Sequence, residues 1–111
     1  MSTDKFKLSL KADQNRRRRG WILRILNYFN NEKTRELNDK LISDGLEEAG
    51  HRVHIAVLHA DLRYLEERGY VGLRQSEDLP IDMMVAWITA KGVDLYEGTI
   101  ADAGVKFRDK D

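Results

Sequence analysis

The sequence contains no cysteine, which removes disulfides, thiol chemistry and the usual structural zinc sites. It has no long apolar run either. The longest, Met83 to Ala90, is eight residues with Thr89 inside it, against the roughly 18 needed to cross a bilayer, so no membrane partner is expected. No apolar segment follows the first charges, Asp4 and Lys5, so a secretory signal is not expected and the expected location is cytoplasmic. Neither sign of charge is in excess, with 19 Lys+Arg against 19 Asp+Glu. At 41% hydrophobic and 34% charged, the composition is that of neither a disordered tail nor a fibrous repeat, and 111 residues suffice for one domain with one core.

Catalytic signatures are also missing. There is no phosphate-cradling glycine loop, nucleophile elbow or paired-carboxylate motif, so no enzyme activity, cofactor or small-molecule substrate is expected. His51, His54 and His59 come nearest to a metal set. His51 falls in a turn, however, and His54 and His59 point in different directions on a helix, so no metal site is expected. Tyr64 and Trp87 read as core or interface aromatics.

What is present is a charge asymmetry. Residues 1–30 carry eight basic groups and two acids, a balance of +6, whereas residues 31–111 carry eleven and seventeen, a balance of −6. Four of the basic groups are consecutive, Arg16, Arg17, Arg18 and Arg19. Residues 1–13 lack a period and read as a mobile basic arm. Trp21, Ile22, Ile25, Leu26 and Phe29 then predict helix one over Gln14 to Asn30, with Leu23 and Tyr28 widening the apolar stripe as a dimer contact would. The arginines thus fall at a predicted helix N-terminus, where the dipole disfavours cations by about 0.3–1 kcal/mol each. That placement suits an anion holder better than a stability device.

Thr34 is placed to cap helix two, whose stripe is Leu37, Leu41, Ile42, Leu46 and Ala49 and which Gly50 ends. Gly45 inside it implies a close approach by another backbone. Helix three has Ile55, Leu58, Leu62 and Leu65 as its inner stripe, with Ala56, His59, Ala60, Arg63 and Glu67 facing out and Gly69 as its stop. Strands follow at Tyr70 to Gln75 and Met83 to Ile88, joined by a loop, Ser76 to Asp82, whose Pro80 cannot continue a ladder. Thr89 caps a last helix that runs to Glu97 and stops at Gly98, with Val93, Leu95 and Tyr96 inward. Residues 99–111 read as a tail without a period.

Three helices, a hairpin and a closing helix make the order of a winged helix-turn-helix. Asp61-Leu-Arg-Tyr-Leu-Glu-Glu-Arg-Gly-Tyr-Val71 resembles a recognition helix entering its first wing strand. Ile88-Thr-Ala-Lys-Gly-Val-Asp-Leu-Tyr-Glu-Gly98 resembles the second wing strand passing into the last helix. More narrowly, Glu48-Ala-Gly-His-Arg-Val53, Leu62 to Tyr70 and Gly104-Val-Lys106 resemble small, uncharacterised winged-helix proteins of Mu-like prophages. The chain departs from them at His54, where a capping Ser or Thr is expected, and in its run of four arginines. The resemblance implies an α+β fold over residues 14–98, with three helices followed by a two-stranded β-hairpin wing and a C-terminal helix.

The prophage resemblance implies a phage origin more than an activity; the function expected of the fold is that of a DNA-binding phage or prophage transcriptional regulator acting as a homodimer on double-stranded DNA. By position, Arg52, His54, His59 and Arg63 would face the major groove, and Arg74, with Gln75 and Ser76, would lie on the wing. Arg16 to Arg19 would hold backbone phosphate. Against this stand Glu77, Asp78 and Asp82 around the wing tip and Asp61, Glu66 and Glu67 on helix three, all of which repel phosphate. The alternative is a phage protein–protein interaction module that keeps the fold without binding nucleic acid.

Overall fold

The computed structural model describes residues 2–31, 35–75 and 83–107. Four helices and a three-stranded antiparallel sheet follow one another as α1 (Ser2–Tyr28), β1 (Leu37–Asn38), α2 (Asp39–Glu48), α3 (Ile55–Glu67), β2 (Val71–Arg74), β3 (Val85–Ile88) and α4 (Ala90–Glu97). The protein is thus α+β. The sequence-predicted cap at Thr34 and the whole loop from Ser76 to Asp82 lie outside the described residues, as do residues 108–111.

The first departure from expectation is α1. Residues 2–13, read as an irregular arm, continue the helix, so α1 spans 27 residues, about 40 Å. Between Lys5 and Arg19 the chain has neither glycine nor proline and is rich in Lys, Leu, Ala and Arg. These good helix formers propagate a helix whose C-terminal half is fixed by packing. Arg16 to Arg19 therefore sit mid-helix, and the dipole argument that made them anion holders does not apply.

The second departure is β1. Leu37, expected on the inner stripe of helix two, pairs instead with Ala86, and Asn38 pairs with Val85. The sheet order is β1-β3-β2, so a strand precedes α2 and the expected order of three helices followed by a two-stranded hairpin is corrected. Asn38 then caps α2, its side-chain oxygen accepting the Leu41 N–H at 2.9 Å. The hairpin is as expected, with Val71 opposite Ile88 and Arg74 opposite Val85. α4 is capped by Thr89, whose hydroxyl accepts the Gly92 N–H at 3.1 Å, and ends at Gly98 with φ 86°.

The core is the meeting of α1, α2 and α3 over the sheet. Ile22, Leu23 and Leu26 of α1 pack with Ile42 and Leu46 of α2, with Leu58, Leu62 and Leu65 of α3, and with Ala86 and Ile88 of β3. Each large aliphatic side chain so buried contributes about 1.5–3 kcal/mol. Ile55, expected to point inward, is exposed in the first turn of α3, beyond the edge of this core. Gly45 is approached by a side chain rather than by backbone. A Cβ there would stand 2.9 Å from Ile25 Cδ1, so the glycine lets α2 lie close on α1.

Residues 99–107, read as a tail, fold back along α1. The Lys106 N–H donates to the Arg16 carbonyl at 3.0 Å and Val105 is buried. Asp102 anchors the segment. Its carboxylate accepts the Tyr70 hydroxyl at 2.6 Å and the Gly104 N–H at 2.7 Å, with Arg68 Nη1 at 3.7 Å. Burial would raise the Asp102 pKa, but these donors and the Arg68 charge hold it below the usual carboxylate range. Burial, reinforced by that carboxylate, pushes Tyr70 up from 10.0 to about 12.

A pH signature follows. The phenol ionises near 10.0 in the unfolded chain and near 12 in the native one, so its contribution to stability is complete below pH 10 and lost as pH rises towards 12. Urea unfolding of the wild type and Tyr70→Phe across that range should show a steeper alkaline loss for the wild type. Parallel curves would contradict the Tyr70–Asp102 bond.

Candidate nucleic-acid interface

Helix α3 begins at His54, whose Nδ1 accepts the Ala56 N–H at 3.1 Å. The histidine thus does the capping work expected of Ser or Thr. Its ring is committed at Nδ1 and exposed elsewhere, which leaves Nε2 as the atom that can reach outward. Arg52, just before it, is exposed, with only a loose contact to Glu47 at 3.9 Å. Along the helix, Ala56, Ala60 and Arg63 are exposed at i, i+4 and i+7, a low-relief strip ending in a guanidinium.

His59 does not belong to this strip, which corrects its expected groove-facing role. Its side chain is only 14% exposed, and its Nε2 lies 2.7 Å from Asp39 Oδ2 at the start of α2. The same oxygen accepts the Met84 N–H at 3.1 Å, so one carboxylate ties α2, α3 and the strand-leading segment together. An ionised carboxylate only accepts, so the His59 Nε2–H donates and the ring is held away from solvent. His59 lies beside Leu58 and one turn from Leu62, on the edge of the core stripe.

The arginine run is likewise redirected. Arg18 and Asp61 form a buried ion pair through Arg18 Nε and Asp61 Oδ2, with side chains 7% and 4% exposed. Arg18 Nη2 also donates to Asn15 Oδ1 at 2.6 Å. Arg19 Nε reaches the other Asp61 oxygen at 3.1 Å, Arg19 Nη1 donates to the Gly104 carbonyl at 3.2 Å, and the guanidinium lies 3.7 Å from the Tyr64 ring centroid. Arg17 Nε is 2.6 Å from Asp13 Oδ2 and Arg16 Nη2 is 3.6 Å from Asp13 Oδ1. The side-chain bond from Arg17 holds Asp13 below the ordinary carboxylate pKa. Burial, with Arg18 and Arg17 nearby, pushes the His51 pKa down. Arg18 and Arg19 are therefore turned inward onto Asp61, which corrects their expected role in a phosphate clamp, while Arg16 and Arg17 stay more than a third exposed with Asp13 as a partner.

Asp61, expected to repel phosphate from the surface of helix three, does not reach that surface. It falls between Leu58, Leu62 and Leu65 on the inner stripe, so its carboxylate enters the protein instead of opposing a polyanion outside. Its spacing from those leucines is the sequence signal for this burial. Only Glu66 and Glu67, at the far end of α3, keep exposed acidic groups on this helix.

On the hairpin, Arg74 is exposed but paired with Glu36 at 2.9 Å, and Arg35 Nη2 donates to the Ile88 carbonyl at 3.1 Å. Arg63, Glu66, Leu73, Arg74, Gln75 and Met84 line a shallow cleft of about 200 Å³ between α3 and the hairpin. Arg63 and Arg74 are thereby brought to one site, while Arg52 and His54 stand at the opposite, N-terminal end of α3. Ser76 lies outside the described residues.

Among the described residues no three His, Cys, Asp or Glu side chains converge to hold a metal ion, and no helix is long and apolar enough to cross a membrane. No family model, curated protein or solved structure matches the chain.

Proposed function

We propose that this chain is a winged helix-turn-helix domain that binds double-stranded DNA, with the N-terminal two-thirds of α3 in the major groove. One observation carries the reading. From Gly50 to Leu65 every exposed side chain is basic, neutral or small, namely Arg52, His54, Ile55, Ala56, Val57, Ala60 and Arg63. The one acid in that stretch, Asp61, is buried against Arg18 and Arg19. A recognition helix reads base edges mainly through its N-terminal residues, which is where this carboxylate-free surface lies. The two alanines let the helix backbone come close to a groove floor. Arg52, just before the helix, and Arg63, in its third turn, can take phosphates or guanine edges at either end. The passage from α3 through Gly69 into the β2–β3 pair, followed by α4, supports the winged-helix reading, with β1 as a third strand beside the hairpin. The role of a small phage or prophage regulator rests on the sequence resemblance.

The test is selection from a random duplex pool with purified protein at low and moderate salt. The expected result is enrichment of a short motif, with Arg63→Ala losing about 1–3 kcal/mol of discrimination at one base position if that side chain reads guanine. No retention of duplex even at low salt would overturn the reading and favour a protein-interaction module.

A further inference from the structure

We infer that two copies of this chain pair antiparallel along α1, the Phe6 and Leu10 end of each helix seated in the apolar groove beside the Trp21–Tyr28 end of the other. This inference stands apart from the DNA reading and uses no residue of α3.

Successive helical residues turn by about 100°, so Phe6, Leu10, Trp21, Arg24 and Tyr28 fall within one sector of about 60° on α1. That sector is opposite the one carrying Ile22, Leu23 and Leu26 into the core. Its apolar members are left open. Phe6 is 64% and Tyr28 74% exposed, far from the burial such rings find in a core. Next to the C-terminal half of the stripe, α1 and α2 enclose a groove of about 510 Å³, lined chiefly by Trp21, Ile25, Tyr28, Phe29, Leu37 and Leu41. One helix thus bears an apolar projection at one end and an apolar recess at the other, on the same face.

A second copy fits both at once. In an antiparallel pair, residues 6 and 28 stand opposite, as do 10 and 24, with the two-fold axis near Arg17. Such a contact is isologous and closes at two copies. Arg17 at the crossing is held by Asp13 of its own chain at 2.6 Å, which tempers the meeting of like charges. The flanks are complementary as well. Asp44 and Glu48 are exposed on α2 beside Leu41 and Gly45, giving the groove an acidic bank. Lys7 and Lys11 lie on the side of α1 that faces α2, the side marked by the Ile25–Gly45 contact. With the two-fold axis lying in the interface, that side coincides in both copies, so each copy's lysines run along the other's acidic bank.

The absence of cysteine makes the geometry directly testable. Residues 6 and 28 of one helix are about 33 Å apart, so a Phe6→Cys/Tyr28→Cys chain cannot bridge within itself. Mild oxidation should give a covalent dimer from that variant and not from either single variant. By light scattering, the wild type should show about twice the 12.9 kDa chain mass at tens of micromolar. Phe6→Glu/Leu10→Glu should show a single chain mass with unchanged circular dichroism, because both side chains are exposed. A wild type that stays monomeric, a dimer that survives the double Glu variant, or equal crosslinking by Phe6→Cys alone would each overturn the inference.

Discussion

Replacing Asp61 by Asn is expected to destabilise the protein by about 3–5 kcal/mol, the range for removing one partner of a buried ion pair. The geometry explains the size. Arg18 lies on the buried face of α1 with its Nε on Asp61 Oδ2, and Arg19 takes the second oxygen at 3.1 Å. An amide of the same shape keeps one oxygen for one guanidinium, turns an NH2 donor towards the other, and removes the negative charge that both arginines share. The Arg18 cation is then left inside the protein with neutral acceptors such as the Asn15 oxygen at 2.6 Å. For a small domain whose total stability is about 5–15 kcal/mol, such a loss is a large fraction of the whole. Urea unfolding monitored by Trp fluorescence checks it. Removing both charges, as Arg18→Met with Asp61→Asn, should recover much of the loss, because the penalty belongs to the stranded cation rather than to the missing attraction. A loss below about 1 kcal/mol for Asp61→Asn would be the behaviour of a solvated surface pair.

Asp39→Ala is expected to cost on the order of 2–6 kcal/mol, because two donors lose one acceptor and each buried unsatisfied group costs about 1–3 kcal/mol. The donors are His59 Nε2, at 2.7 Å, and the Met84 backbone N–H, at 3.1 Å. They come from α3 and from the segment leading into β3, so the loss loosens α3 from the sheet as well as lowering stability. Asp39→Asn, which keeps a side-chain oxygen, should lose clearly less. Chemical denaturation of the three proteins, with hydrogen exchange at the Met84 amide, separates the cases. Equal stability of Asp39→Ala and wild type would contradict the bridging role.

These two carboxylates also mark where the sequence was hard to read. Periodic apolar residues and glycine stops located α3, the hairpin strands and α4 to within two residues, and Thr89 was legible as a cap because its hydroxyl stands three residues before an amide it can accept. The strand β1 was not legible. Two residues carry no alternation, and Leu37 fits a helical stripe with Leu41 as well as it fits a ladder with Ala86. The first half of α1 has helix propensity without an amphipathic period, so no apolar spacing announces it. The segment 99–107 gains its order from tertiary partners such as the Arg16 carbonyl, which no local pattern announces.

At the candidate interface, Arg52, His54, Arg63 and Arg74 lie on the surface as expected and Arg16 and Arg17 stay partly exposed, whereas His59, Arg18 and Arg19 turn inward. A side chain on the edge of a core stripe can turn either way, and His59 is decided by Asp39, twenty residues earlier. Four adjacent arginines look like a patch in sequence, yet on a helix they point in four directions. Two of those directions meet Asp61 and the other two meet Asp13.

If α3 meets DNA as proposed, that division of the arginines sets the salt dependence of duplex binding. Association with a fixed duplex, followed by fluorescence anisotropy over a salt series, gives a slope that falls by about 0.9 for each phosphate contact removed. Arg52→Ala/Arg63→Ala should flatten the slope, while Arg16→Ala/Arg17→Ala should leave it at the wild-type value. A flattened slope for the Arg16 and Arg17 variant, with Arg52 and Arg63 replaced at no cost, would contradict the assignment of α3 as the surface that meets DNA.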